Sequence, residues 1–597
     1  MTQHFPILSI MSLFLGSFLI VIFGGKNRFI RNSLAVLFSA IPLVLICCLI
    51  KPILIDGEIF SYWLGGWEPV SGFAFGIGLE VDALGLFFAL LVVLTIFLAA
   101  VFSLKYMSRD DALDKYYTLF LMLGGGVLGL VLSGDLFNMY IMVEILTFAS
   151  VALTAFRNWA RGSLEASFKY LVVGSIGSAF ILTGVILIYA QTHTLSLAQI
   201  SALLAAEGLT PATIFGFALL FAGYAVKSYV VPFHPVAADA YMTAPSSISM
   251  VFSGMVNKAG IYGMIRLVYM VFQAMDQAAV QYMIVILGCL TMFIGVTMAL
   301  SQHDFKRLLA YHSISQIGYV LTAVGLATAL GISGGLYHAL NHTLFKGLLF
   351  LCAGAVFYSV GTTDLDKLGG LAKKMPQTTI IFLIGAFSIS GLPPFNGFMS
   401  KWMIYQAAYE KAALEGSFFY ALVTIVGLLV SVLTLASFIK VTQSVFFGQL
   451  APGCEKAKEI PFSMRWPMWL MAILCAVTGL FPGLINQYLI FPASAATVNT
   501  SGYIDAMMGA GYGQQLGLSA EAAFPLDYST AGYWNPIAWL MLFIILMAGL
   551  LVSAFLGKSS RGPVSRPVPD DPKYATFYGG ESSQHSHVGG SDLFWGL

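Results

Sequence analysis

Leu220 to Arg266 reads LFAGYAVKSYVVPFHPVAADAYMTAPSSISMVFSGMVNKAGIYGMIR. The stretch is apolar enough to lie in a membrane, yet it carries Lys227, His234, Asp239 and Lys258 and is interrupted by Pro232, Pro235 and Pro245. A charge near the bilayer centre costs at least ~2.5–3.5 kcal/mol on insertion scales, so ionisable groups there face a bundle interior or wet cavity and mark an ion path. A proline-interrupted membrane helix frees backbone polar groups that survive only where protein or water satisfies them. The stretch therefore predicts a broken helix beside an internal polar channel.

Working outward, the chain has 597 residues, of which 58% are hydrophobic and 10% charged. That composition is of a polytopic membrane protein, matches no soluble class and argues against nucleic acid as a partner. Cys47, Cys48, Cys289, Cys352, Cys454 and Cys475 are scattered through mostly apolar runs without CxxC or His-flanked spacing, so they read as packing residues and no metal is expected. No Gly-rich phosphate loop follows a strand, and no flavin, haem or iron–sulfur motif is present, so no cofactor is expected and any redox step belongs to a partner. The N-terminus MTQHFPILSIMSLFLGSFLIVIFGG lacks a basic n-region and a small-residue cleavage site, which predicts a retained first helix.

The reading is of an all-α polytopic membrane protein with about 14–15 transmembrane helices of the ~20-residue length needed to cross. Spans are expected near 5–24, 30–50, 78–104, 117–133, 136–156, 166–190, 212–240, 245–270, 279–301, 306–328, 333–360, 377–409, 418–447, 467–490 and 536–556. Lys and Arg fall in alternate connections: Lys26, Arg28 and Arg31; Lys105, Arg109 and Lys115; Arg157 and Arg161; Lys306 and Arg307; Lys367, Lys373 and Lys374; Lys456, Lys458 and Arg465; Lys558, Arg561 and Arg566. The intervening connections hold almost none, and 491–535 carries Asp505, Glu521 and Asp527 without a Lys or Arg. The positive-inside rule then predicts an outside N-terminus and a cytoplasmic C-terminus, with an odd number of spans, in the cell inner (plasma) membrane.

Further ionisable groups lie inside these spans. Glu144 stands among apolar residues in SGDLFNMYIMVEILTFASVAL and needs a nearby cation to stay charged, for which Lys227 is the candidate; the alternatives are a protonated or snorkelling carboxyl. In GGLYHALNHTLFKGLLFLCAGAV, His338, His342 and Lys346 recur at i, i+4 spacing and so share one helical face. Histidine gives and takes a proton near neutral pH, so the stripe reads as a proton relay. His312 and Gln316 lie one turn apart in SQHDFKRLLAYHSISQIGYV, where a hydrated path and packing both remain open. Asp304, Lys306 and Arg307 read as a loop cluster, and the Gly- and Ser-rich span from Glu165 to Tyr189 reads as a packing element with Lys169 snorkelling. A second break, GLPPFNGF, precedes Lys401, which is either a path residue or an interfacial lysine. The two broken spans are five apart and therefore opposite in direction, a pattern of inverted repeats.

Taken together, KSYVVPFHPVAADAYMTAP followed by VNKAGIYGMIR resembles the signature of the proton-conducting antiporter-like subunits of respiratory complex I, Mrp-type sodium/proton antiporters and membrane-bound hydrogenases. Lys227, Pro232, His234, Asp239, Ala240, Lys258, Gly260 and Tyr262 keep the pattern, whereas Val236, Ala237 and Ala238 replace the usual Trp-Leu-Pro. The resemblance covers roughly 75–450 well and 1–74 loosely. It implies two inverted five-span repeats, an ion pair between Glu144 and Lys227 on facing helices, a relay through His338, His342 and Lys346, and Lys401 as the outlet-side protonatable residue. The corresponding organisation is N-terminal helices at 1–115, repeats at 116–271 and 272–450, C-terminal helices and an outer loop at 451–557, and a tail at 558–597.

The expected function is thus a proton-translocating antiporter-like subunit of a multi-subunit membrane complex, with Glu144, Lys227, His234, Lys258, His312, His338, His342, Lys346 and Lys401 as its relay. It has no catalytic redox site of its own. Expected partners are other membrane subunits, peripheral redox subunits, protons and Na+, and lipid. An Mrp-type Na+/H+ antiporter subunit without redox partners and an autonomous secondary transporter are the alternatives. The Pro- and Gly-rich tail, with aromatic Tyr578, Phe594 and Trp595, reads as a docking element or as simple disorder.

Overall fold

A computed structural model describes residues 2–516, apart from Lys26, Ser71, Arg161 and Gly448, together with 541–542, 544–549 and 551–552. The expected last span, the 517–535 part of the acidic loop and the tail lie wholly or largely outside the described residues.

Among the described residues, nine helices are long and apolar enough to cross a membrane: Thr2–Gly24, Arg28–Ile55, Ala83–Tyr106, Leu136–Thr154, Ser163–Thr192, Ala278–Leu300, Ala329–Val360, Phe418–Phe447 and Phe462–Leu480. Of the other expected spans, Leu113–Val131 is a continuous helix with Asp114 and Lys115 in its first turn, and the rest are interrupted or carry ionisable groups. Pro211–Lys227 and Pro376–Ser390 are halves of broken helices, and Phe305–Gly325 carries Lys306, Arg307, His312 and Gln316. The all-helical expectation missed one feature, an antiparallel ribbon that pairs Phe60–Trp63 with Gly78–Val81 in the connection after the second helix. Its strands are four residues each, too short for an alternating pattern to stand out in sequence.

Both expected breaks are present. The helix Pro211–Lys227 stops at Lys227, and the chain resumes as Pro235–Thr243, stops again at Ala244, and continues from Ser246. Proline has no N–H to give a helix interior but fits its first turn, so Pro235 can open the short helix while Pro232 and Pro245 lie outside helices. The second break separates Pro376–Ser390 from Asn396–Glu415. Gly391 closes the first half at φ +78°, the left-handed conformation that glycine adopts without steric cost.

Burial sorts the helices into an inner and an outer set. Every residue of Ala329–Val360 from Leu330 to Val356 is buried. Phe29, Phe168 and Ile425, on three peripheral helices, are instead mostly exposed, as lipid-facing residues would be. Close contact between Ser163–Thr192 and Pro211–Lys227 depends on glycine, since a Cβ on Gly223 would stand 2.7 Å from the Gly177 carbonyl oxygen. This packing fixes the helix end that carries Lys227.

Candidate functional site: a buried lysine and histidine axis

At the centre, Lys258 meets His342. The helical chain from Ser246 widens into a π-helical turn at Phe252–Val256 before Asn257–Ile265, and the Nζ of Lys258 donates back to the Ser253 carbonyl within that turn. Such turns recur at functional sites because they re-aim side chains and backbone acceptors. The same Nζ lies 2.8 Å from Nδ1 of His342 on Ala329–Val360. Both residues are buried. An ammonium has only donors, so Nδ1 must accept when Lys258 is charged, and an imidazolium can donate only to a neutral amine. The contact can therefore hold at most one excess proton.

One turn earlier on the same helix, His338 Nε2 lies 3.0 Å from Gln316 Oε1 and Nδ1 lies 2.9 Å from Ser400 Oγ. Ser400 adjoins Lys401, whose Nζ donates to the Ile389 carbonyl at 2.9 Å. Ile389 is in the last turn of Pro376–Ser390, where carbonyls lose their helical partners, so Lys401 satisfies the end of the broken helix. The Tyr319 ring joins the two groups, with its centroid 5.4 Å from that of His338 and 5.1 Å from Lys401 Nζ.

Lys346 and His312 occupy a side branch. Lys346 Nζ donates to the Leu309 carbonyl at 2.7 Å, and His312 Nε2 lies 2.8 Å from Ser437 Oγ while its Nδ1 has no hydrogen-bond partner. The shared helical face thus splits, with His338 and His342 along the axis and Lys346 turned to a neighbouring helix.

Lys227 differs from expectation. Its Nζ donates to Thr147 Oγ1 at 2.8 Å, the Gly174 carbonyl at 2.7 Å and Ser178 Oγ at 2.9 Å. Those three acceptors take all three ammonium protons. The expected direct ion pair with Glu144 is therefore not made, and the half-buried Glu144 has an Oε1 without a hydrogen-bond partner. Thr147, one turn after Glu144 on the same helix, stands where the carboxylate was expected. His234 lies in the first break, half-buried, and its Nδ1 has no hydrogen-bond partner. Among the described residues, Lys227, Lys258, Lys346 and Lys401 make no ion pair with a carboxylate.

Sequence reasoning passes over Thr147, Gly174, Ser178 and Ser400 as partners of the charged groups, and it sets Gln316 beside His312 where the structure pairs it with His338. Hydroxyls in a Gly- and Ser-rich span look the same whether they pack or bind a lysine, and a backbone carbonyl leaves no trace in sequence. Lys306 reads in sequence as part of a loop cluster, but it is buried in Phe305–Gly325 and donates to the Met242 carbonyl at 2.9 Å and to that of Ala244. Lys169 is a surface residue, paired with Glu165 at 2.6 Å and Asp239 at 3.2 Å.

A bundle with two proline-interrupted helices and an axis of buried lysines and histidines describes a class of ion-translocating membrane subunit. The profile of the NADH:quinone oxidoreductase/Mrp antiporter transmembrane family matches residues 133–443, and that of the NADH-ubiquinone oxidoreductase (complex I) chain 5 N-terminus matches 67–117. The chain is 32% identical over 504 residues to an NADH-quinone oxidoreductase subunit of Desulforudis audaxviator, covering 81% of this chain and 96% of that one. It is 32% identical over 476 residues to a Na(+)/H(+) antiporter subunit of Alkalihalophilus pseudofirmus, covering 79% and 93%. A subunit in the structure of the membrane-bound sulfane sulfur reductase, an archaeal respiratory membrane complex, superimposes with a TM-score of 0.76 at 31% identity, covering 84% of this chain and 99% of that one. The protein belongs to the NADH:quinone oxidoreductase/Mrp antiporter family and is an antiporter-like membrane subunit.

Proposed function

We propose that this subunit carries protons across the membrane along the buried axis Lys227, Lys258, His342, His338 and Lys401, with Glu144 and the Lys346–His312 branch biasing their occupancy. The 2.8 Å contact between Lys258 and His342 carries the reading, because it joins the helices around the first break to those around the second through two groups that exchange a proton. Several ammonium charges in a low-dielectric interior without a directly paired carboxylate repel one another strongly. Protons are therefore shared among the lysines, and a change at one alters the cost of protonating the next.

The cycle begins when Glu144 turns toward Lys227 and stabilises its charge, leaving Lys258 free to load a proton. When Glu144 withdraws, the charge on Lys227 drives the proton from Lys258 through His342 and His338 to Lys401. Moving one charge against the potential costs about 2.3 kcal/mol per 100 mV, so an external source must supply the energy. Relatives named for NADH-quinone oxidoreductase, Na(+)/H(+) antiporter and sulfane sulfur reductase complexes support two sources: redox chemistry in peripheral partner subunits, or a Na+ gradient. The redox-driven assembly is the reading we favour, with organisation as two inverted repeats at 116–271 and 272–450. The Lys- and Arg-rich connections favour a cytoplasmic position for that face, an outside N-terminus and residence in the cell inner membrane.

Lys258→Ala, assayed for proton uptake in sealed vesicles that contain the assembled complex, tests the axis. Loss of coupled uptake with assembly retained supports it, and unchanged uptake refutes it. Mass spectrometry of the gently solubilised complex separates the two energy sources, since co-purifying redox subunits support the first and small hydrophobic partners alone support the second.

A further inference from the structure

Tyr319, fully buried in Phe305–Gly325, is not a member of the axis yet touches two of its members. Its ring centroid lies 5.4 Å from that of His338, with the two planes at 48°, and Lys401 Nζ lies over the ring at 5.1 Å from the centroid. A cation within about 6 Å of an aromatic centroid is attracted by the ring's negative face, more strongly where water is excluded. Lys401 is 2% exposed. Among the described residues its Nζ has one hydrogen-bond acceptor, the Ile389 carbonyl, and no carboxylate pairs with it. A charged Nζ has three N–H groups, so two of them are left to the ring and its surroundings.

The ring is clamped at its far end. Tyr319 Oη donates to the Gly427 carbonyl at 2.6 Å and lies 3.0 Å from Ser431 Oγ. Gly427 and Ser431 are four residues apart and so share one face of Phe418–Val441. Tyr405, one turn after Lys401 on Asn396–Glu415, joins the same cluster, its Oη standing 2.6 Å from Ser431 Oγ and 3.1 Å from the Gly427 carbonyl oxygen. Glycine at 427 leaves room for this, since a Cβ there would stand 2.8 Å from the Tyr405 ring. The hydroxyl cluster thus sets the position of the Tyr319 ring relative to both Lys401 and His338.

We propose that Tyr319 is a positioning residue whose ring, anchored by Gly427 and Ser431, stabilises the charged form of Lys401 at the end of the axis. The proposal rests on Lys401 as a proton carrier. The ring attracts the ammonium and not the neutral amine, so it favours residence of the proton on Lys401. Tyr319 keeps its own hydroxyl proton, which the Gly427 carbonyl accepts, and takes no part in the transfer. Among the described residues, the other titratable groups beside Lys401 are His338 on Ala329–Val360, His312 on Phe305–Gly325 and Tyr405 on its own helix. None of these is a carboxylate, which leaves the ring face as the group that favours the charge.

The test measures proton uptake against pH in sealed vesicles carrying the assembled complex, with Lys401→Ala in parallel. Tyr319→Leu removes the ring, and the alkaline limb of the profile is expected to move down by about one pH unit, a roughly tenfold loss of proton affinity. Lost packing alone would lower the rate without displacing the limb. Tyr319→Phe keeps the ring face without its hydroxyl anchor, so the limb should return toward the parental position at a reduced rate. An undisplaced limb in Tyr319→Leu beside a silent Lys401→Ala overturns the proposal and leaves the axis intact. Normal transport by Lys401→Ala overturns Lys401 as a carrier, and the proposal with it. Should Tyr319→Leu fail to assemble, progressively fluorinated phenylalanine at position 319 keeps the ring's shape while weakening its negative face. A limb that moves down stepwise with fluorine content supports the proposal, and a constant limb overturns it.

Discussion

Lys258 Nζ stands 2.8 Å from His342 Nδ1, with both side chains inside the bundle and on helices from opposite halves of the chain. Two donors cannot face each other at that distance, so the two residues cannot both carry a proton into this contact. His342→Ala removes the acceptor and leaves the Lys258 ammonium with one fewer partner. Proton uptake in vesicles is expected to fall about 100-fold, and His342→Gln, which can still accept, should assemble normally yet fail to relay.

Lys227 has its three ammonium protons engaged by Thr147, Gly174 and Ser178 and none by Glu144. Stability and transport are therefore expected to separate. Thr147→Val or Ser178→Ala leaves a buried donor unsatisfied and should destabilise the subunit by about 1–3 kcal/mol, read as earlier thermal unfolding of the solubilised complex. Glu144→Ala should shift stability far less and abolish coupled proton movement.

The second break depends on Gly397, where a Cβ would overlap the Ser388 carbonyl oxygen. Backbone cannot yield there without moving the helix end that holds Lys401. Gly397→Ala is expected to cost about 1–3 kcal/mol of stability and to disable transport, checked by thermal unfolding and vesicle assays of the same preparation.

Asp82 and Arg266 form a buried pair whose members are each 2% exposed. Asp82→Ala would strand the guanidinium, at a cost of about 3–5 kcal/mol, so little folded subunit should be recovered from membranes. Asp82→Asn, which still accepts hydrogen bonds, should be recovered in larger amount.

Much of this architecture is legible because the sequence signals are local. Prolines and glycines place both breaks, and i, i+4 spacing places His338 and His342 on one face of the central helix. The same spacing misleads at Lys346, since a long side chain can leave its stripe for a carbonyl on a neighbouring helix, here Leu309. Buried lysines at helix ends are the least legible. Lys306 reaches the Met242 and Ala244 carbonyls, Lys440 reaches those of Leu300 and Gln302, and Lys411 reaches that of Leu326. Each satisfies a helix end on another segment, and such a partner has no fixed offset in sequence. The Glu144–Lys227 expectation fails for a related reason: nearby hydroxyls and a carbonyl satisfy an ammonium as fully as a carboxylate does.

Proton uptake by sealed vesicles carrying the assembled complex, compared between the parent and Lys258→Ala, tests the central claim most directly. The account predicts that the variant complex assembles in normal amount and that coupled proton uptake disappears. Coupled uptake at the parental rate in Lys258→Ala would contradict it.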